Sequence, residues 1–192
     1  LQYDISSLDE NKKKLLSDDY CLMVSRLDTS QKDFDTLFHA FYKAKKDGLQ
    51  DELYLIGEGI AEKELKEKVH TLGLEKEILF LGLQKNPYPW MTHSKLLVHS
   101  SRAEGFGLVL VEALACGRMV IATDCPVGPR EILNHEICGV LFSVGNIEQL
   151  KNQLLLFLKN SELRKEYERH IPESISRFDS KAILQAYQKL FL

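Results

Sequence analysis

Lys95–Thr123 reads KLLVHSSRAEGFGLVLVEALACGRMVIAT. A short apolar run, Lys95–His99, breaks at a turn containing Gly105 and Gly107. A longer segment, Leu108 to Ala115, is apolar except for Glu112, and a second short run follows at Met119–Thr123. Runs this short, apolar on both faces and joined through a helical segment, are the pattern of parallel strands covered on both sides. The unit also poses a chemical problem. Glu104 stands just before the apolar helix and Glu112 within it, and an ionised carboxylate is costly to bury without partners.

The same unit recurs along the chain. Tyr20–Ser25, Glu52–Ile56, Glu77–Leu81 and Cys138–Phe142 read as further strands. Apolar residues at three- and four-residue spacing make 31–47 a helix (Phe34, Leu37, Phe38, Phe41, Tyr42). They do the same for 60–72 (Ile60, Leu65, Val69, Leu72), which Gly73 closes as a C-cap. Apolar except for Glu112, Leu108–Ala115 is expected to be a helix buried on every side. From Ile147 onward the pattern is purely helical. The whole predicts an α/β fold, a doubly wound Rossmann-like parallel sheet of about six strands with extra C-terminal helices.

Composition sets the outer bounds. With 192 residues, 44% apolar and 28% charged, the chain has the makings of one substantial domain. A net charge of -3 gives no electrostatic case for nucleic acid, and no apolar run approaches a membrane span of about 20 residues. The four cysteines form no C-x-x-C pair, and Cys21, Cys116, Cys125 and Cys138 read mainly as small buried hydrophobes in a reducing compartment. None of the six histidines has metal-ligand spacing, so no metal is expected. The polar start without Met suggests a piece of a longer chain, residues 1–19 being the end of a preceding domain or a linker and 20–192 the folded unit.

Ligands of such a sheet bind outside the carboxyl ends of the strands, so loops 25–33, 57–60, 82–92, 100–107 and 123–130 carry the functional candidates. Arg26 and Lys32, at the exit of the first strand, suit a diphosphate, the one as a planar fork and the other as a point charge, or are solvated surface cations, a reading that fits Lys32 taken alone. Gly105, Phe106, Gly107 and Leu108 lead a helix N-terminus toward the same end of the sheet, where amide groups favour an anion. Glu112 either accepts from ligand hydroxyls or pairs with a cation of the fold. Gly57-Glu58-Gly59 is a tight turn of little weight by itself, and loop 82–90, with its prolines and aromatics, suits a nucleotide base or simple packing. His99, beside the Ser100–Gly107 loop, is a lesser candidate. Arg130 in DCPVGPREIL reads as part of a structural ion pair. No G-x-G-x-x-G follows the first strand, which disfavours a nicotinamide oxidoreductase, and no nucleophile elbow surrounds Ser100 or Ser101.

Taken in order, VSRLDTSQKDFDTLFHAF, LYLIGEGIAEKELKEKVHTLGLEKEILFLG and AEGFGLVLVEALACGRMVIATD resemble the C-terminal domain of retaining glycosyltransferases of the two-domain GT-B type, group 1 or family 4, over about residues 18 to 145. The resemblance implies transfer of a hexose from a nucleoside diphosphate sugar to a saccharide or lipid-linked acceptor, with no cofactor. It makes Arg26 and Lys32 the cations of the diphosphate and Glu104 the carboxylate facing the sugar. Gly105 to Leu108 stand close to sugar and phosphate, Glu112 faces the ribose, and Leu81, Gly82, Leu83 and Gln84 meet the base, with uridine expected ahead of guanosine. It also implies a separate N-terminal domain, with a cytoplasmic location and peripheral membrane attachment through that domain, while the look of DCPVGPREIL suggests bacterial cell-surface glycan synthesis. The alternative is a non-catalytic nucleotide-sugar-binding module. Two positions depart from the pattern, Asp33 and Ser25, where the family commonly has Gly. Asp33 is expected to bring negative charge near the phosphate site. The apolar stretches LLLFLKN and LFL of the tail are expected to offer a docking surface to the other domain.

Overall fold

The fold is described from a computed structural model covering residue 5, residues 8–133 and residues 136–189. Strands β1 (Tyr20–Val24), β2 (Glu52–Ile56), β3 (Ile78–Phe80), β4 (Leu97–His99), β5 (Val120–Thr123) and β6 (Gly139–Phe142) form one sheet in the order β3-β2-β1-β4-β5-β6. All pairings are parallel, from Tyr20 opposite Glu52 to Thr123 opposite Phe142. This is the doubly wound arrangement, with the reversal of strand order between β1 and β4. Every expected strand is present, Glu52–Ile56 with the expected bounds and the other five shortened by one or two residues.

Alternation along the strands builds two cores. Cys21, Met23, Leu53, Leu55, Val98, Ile121, Val140 and Phe142 face one layer, formed by α2 (Phe34–Lys46), α3 (Glu62–Leu72) and α7 (Ile147–Lys159). Tyr20, Leu22, Tyr54, Ile56, Leu97, Val120, Ala122 and Leu141 face the other, formed by α4 (Tyr88–His93), α5 (Leu108–Ala115), α6 (Pro129–Ile132) and, beyond α8 (Ser161–Arg169), α9 (Ile171–Ile175). The period-two split is what two covered faces require. In the second layer the rings of Tyr20 and Tyr54 stack with centroids 4.2 Å apart, and their hydroxyls donate to Trp90 O and Asp18 Oδ2, each at 2.8 Å. Gly73 closes α3 at φ 66°, the expected left-handed cap.

Three expectations need correction. Ile60 fits the helical spacing but precedes α3 and is 95% exposed, because the chain is still turning there. Helix α5 is not buried all round: Leu110, Ala113 and Leu114 face the core, whereas Leu108 is 69% exposed at the open end of the sheet. The LLLFLKN stretch is core rather than a docking surface, since Leu154, Phe157 and Leu158 pack α7 against α2 and only Leu156 is left half exposed. The LFL end, 190–192, lies outside the described residues. Within the segment 1–19 a short helix, α1 (Glu10–Leu15), is followed by Leu16, which packs into the second core.

Candidate functional site

The reversal of strand order puts the loops after β1 and β4 side by side, and backbone bonds fasten them together. Lys32 and Ser101 form an antiparallel bridge: Asp33 N donates to Ser100 O at 3.1 Å and Arg102 N to Gln31 O at 2.8 Å. Ser100 Oγ adds a bond to Asp33 O at 2.7 Å. Asp33 does not present its charge to the site. It caps α2, accepting from Thr36 Oγ1 at 2.7 Å, and its Oδ1 receives Arg102 NH2 at 2.8 Å. The expected negative field near Lys32 is therefore cancelled by a residue 69 positions away, which also donates to the carbonyls of Thr29 and Lys32.

The Gly57-Glu58-Gly59 turn carries more than its sequence suggested. Gly57 adopts φ 141°, and a Cβ there would lie 1.9 Å from Ser25 O. This closeness lets Leu27 N reach Glu58 O and Ala61 N reach Leu27 O, both at 3.0 Å, which fixes the backbone on either side of Arg26. On the other flank Gly128, at φ 95°, packs on the Phe106 carbonyl, where a Cβ would approach to 2.0 Å. Arg130 pairs with Asp124 across that turn, the structural ion pair expected there.

Two cavities open at this end and share Val24, Ser25 and Arg26. One, of about 590 Å³, is completed by Ile56, Gly57, Leu83, Gln84 and Pro87. The other, of about 350 Å³, is completed by Lys32, His99, Glu104, Phe106, Gly107 and Leu108. Arg26 is exposed and makes no hydrogen bond or ion pair with any described residue. Leu81, Gly82, Gly105 and Glu112 line neither cavity. Gly82 O anchors Gly57 N at 3.0 Å, and Leu81 O receives Gln84 Nε2. Glu112 is half-buried on α5, and Tyr88 Oη donates to its carboxylate at 3.4 Å, so its partner in the fold is a hydroxyl rather than a cation.

Glu104 is the electrostatic centre. Its Oε1 accepts from Lys32 Nζ in a short ion pair, from His99 Nε2 at 2.7 Å and from Ser101 Oγ at 2.5 Å. Burial pushes the carboxyl pKa up, but the bonds from His99, Lys32 and Ser101 outweigh that and hold it at about 2. Its Oε2 has no hydrogen bond with any described residue. Glu104 thus satisfies its charge within the protein. Spacing alone missed His99 as its neighbour, although the His99-x-Ser101-x-x-Glu104 run at a strand end was visible. The arrangement offers one unpaired guanidinium, one ammonium exchangeable between a carboxylate and an anion, and a fixed carboxylate acceptor, around paired cavities large enough for a nucleotide and a sugar.

Residues 5–173 match the family Glycosyl transferases group 1. The chain belongs to that family. This group 1 glycosyl transferase is 33% identical over 177 residues to N-acetylgalactosamine-N,N'-diacetylbacillosaminyl-diphospho-undecaprenol 4-alpha-N-acetylgalactosaminyltransferase of Campylobacter jejuni, a match spanning 92% of the chain and 47% of that enzyme. It is 34% identical over 140 residues to N-acetyl-alpha-D-glucosaminyl L-malate synthase of Bacillus anthracis, across 72% of the chain and 36% of that enzyme. The chain thus spans less than half the length of either relative. Among solved structures, Anabaena HepE in complex with UDP-glucose superimposes with a TM-score of 0.82 at 26% identity, over 98% of this chain and 53% of that one.

Proposed function

We propose that this chain binds the donor of a retaining glycosyltransferase, a nucleoside diphosphate hexose, with the nucleoside in the larger cavity and the sugar in the smaller. The observation that carries the reading is Arg26, an exposed cation with no ion pair among the described residues, just past the end of β1 on the wall shared by both cavities. A diphosphate spanning the two passes Arg26, and Lys32 exchanges Glu104 for a phosphate oxygen. As the bond from the anomeric carbon to the diphosphate breaks, negative charge grows on the leaving phosphate and the two cations neutralise it with no metal required. Glu104 accepts from sugar hydroxyls through its unengaged oxygen. Glu112 accepts from the ribose, displacing Tyr88, and Gly105 to Leu108 flank sugar and phosphate, with the base against Leu83 and Gln84 beside Leu81 and Gly82.

Uridine is the base of choice in this reading, supported by the UDP-glucose held by HepE. The acceptor is a saccharide or a lipid-linked saccharide, the latter as the diphospho-undecaprenol in the Campylobacter relative's name suggests, and the product in this reading is a bacterial surface glycan. Turnover requires the further polypeptide that the longer relatives possess, and with it comes any attachment to the cytoplasmic membrane face. No helix among the described residues is long and apolar enough to cross a membrane.

Thermal shift against uridine, guanosine, adenosine and thymidine diphosphates and their hexose conjugates tests the reading. A ligand at a hundred times its Kd adds about 2.7 kcal/mol to stability. Stabilisation by one nucleotide series, lost in Arg26→Ala, is expected. Equal stabilisation of the wild type and Arg26→Ala would overturn the placement.

A further inference from the structure

His99 touches the centre of the site, yet the donor reading leaves it without a task. The residue is 1% exposed, and its Nε2 lies 2.7 Å from Glu104 Oε1, 3.2 Å from Ser101 Oγ and 3.3 Å from Lys32 Nζ. Two bare acceptors do not approach to 2.7 Å, so Nε2 carries a hydrogen and donates it to the carboxylate. The other nitrogen, Nδ1, is buried without a partner among the described residues. Protonating it would add an orphaned donor and a buried charge close to the Lys32 ammonium, so the ring is the neutral Nε2–H tautomer. Burial draws its pKa down in the same direction. The ring is also firmly seated: His99 lies opposite Ala122 in the sheet, and Thr123 Oγ1 bonds the backbone of both His99 and Ser101.

This seating matters because all three protein donors converge on one oxygen of Glu104. When Lys32 turns to a phosphate, the carboxylate loses its counter-charge, and of the two remaining donors Ser101 holds it through a single rotatable hydroxyl while His99 holds it through a ring with its nitrogen fixed in place. We propose that His99 is a positioning residue for Glu104: its Nε2–H retains Oε1 after Lys32 has left, so that Oε2 stays available to a hydroxyl of the bound sugar. The inference rests on the donor reading and assigns the specificity step within it.

Two measurements on this chain test it, one needing no ligand. Imidazole nitrogen NMR of the wild type should show His99 as the Nε2–H tautomer from pH 6 to 8, with the Nε2 signal displaced in Glu104→Gln. An Nδ1–H tautomer, or a signal unmoved by Glu104→Gln, overturns the contact. Calorimetric titration with UDP, UDP-glucose and UDP-N-acetylglucosamine then reads the consequence. His99→Leu should lose at least fivefold of the preference for the favoured UDP-sugar over UDP, each variant's own affinity for UDP being the reference. His99→Gln, whose amide nitrogen offers a donor at the same reach, should restore most of it. An undiminished preference in His99→Leu, or equal loss in both variants, refutes the positioning role. If the wild type binds none of the three, the uridine donor reading fails and the part of His99 in sugar selection fails with it, while the NMR result still stands or falls separately.

Discussion

Arg102→Leu tests the tie between the two site loops. Arg102 donates to Asp33 Oδ1 at 2.8 Å and to the carbonyls of Thr29 and Lys32 at 3.0 and 3.3 Å. Asp33 is nearly fully buried, whereas the Arg102 side chain is 44% exposed. Breaking a fully buried pair costs about 3–5 kcal/mol and losing an exposed one about 0–1. A pair with one buried and one half-exposed partner falls between, and the expected cost is about 2 kcal/mol. Asp33→Ala removes the α2 cap as well, about 1 kcal/mol by itself, but it leaves an arginine that water can solvate. Removing Arg102 should therefore cost much less when Asp33 is already gone, giving a coupling of about 1–1.5 kcal/mol in a double-mutant cycle. Urea unfolding of the four proteins at pH 7, followed through the fluorescence of the single, fully buried Trp90, supplies the numbers. A coupling below about 0.3 kcal/mol, within the additivity of independent sites, would show that the pair is a solvated contact and would remove the explanation of how Asp33 is tolerated beside Lys32.

Acid should weaken the site through Glu104. Its folded pKa of about 2 lies below the ordinary 4.5, so the stability it contributes is complete above pH 4.5 and disappears as the pH falls toward 2. Glu104→Gln should cost about 1–2 kcal/mol at pH 7, after discounting for solvent at the cleft, and flatten unfolding curves between pH 4.5 and 2; an unchanged acid profile would contradict the paired geometry. Gly128→Ala should destabilise by more than about 1 kcal/mol in urea, because φ 95° and a 2.0 Å approach to Phe106 O leave no room for the methyl. A neutral result would mean that the turn relaxes freely. On α7, Leu154→Ala should cost about 2–5 kcal/mol while Leu156→Ala stays within about 0.5, and comparable losses would place Leu156 in the core.

The strands were legible because each is a short apolar run between polar or glycine boundaries, and two-faced burial leaves that signature directly. Their order was not, since nothing in Leu22 or Leu97 says that the two are neighbours. Ile60 was misread because its spacing satisfied the helix period while the backbone still had to pass close to Leu27. Helix α5 was misread because composition cannot show which side of an apolar helix meets the open end of a sheet. That Arg26, Lys32 and Glu104 would gather at one end of the sheet was legible from their places at strand exits. The ion pairing of Glu104 with Lys32, and of Asp33 with Arg102, joins residues about 70 positions apart and exists only once the strand order is known.

The antiparallel bridge between Lys32 and Ser101 limits how loops of this site can change length. In an extended pair successive side chains point to opposite sides, so a slip of one residue reverses each of them. One residue inserted between Arg26 and Gln31 would turn Lys32 away from Glu104 unless the added residue were looped out before the bridge. A deletion there would have the same effect with nothing to loop out. Among the described residues the 84–87 segment forms no strand bridge, so a change of length there should alter the wall of the larger cavity while the cation and the carboxylate keep their spacing.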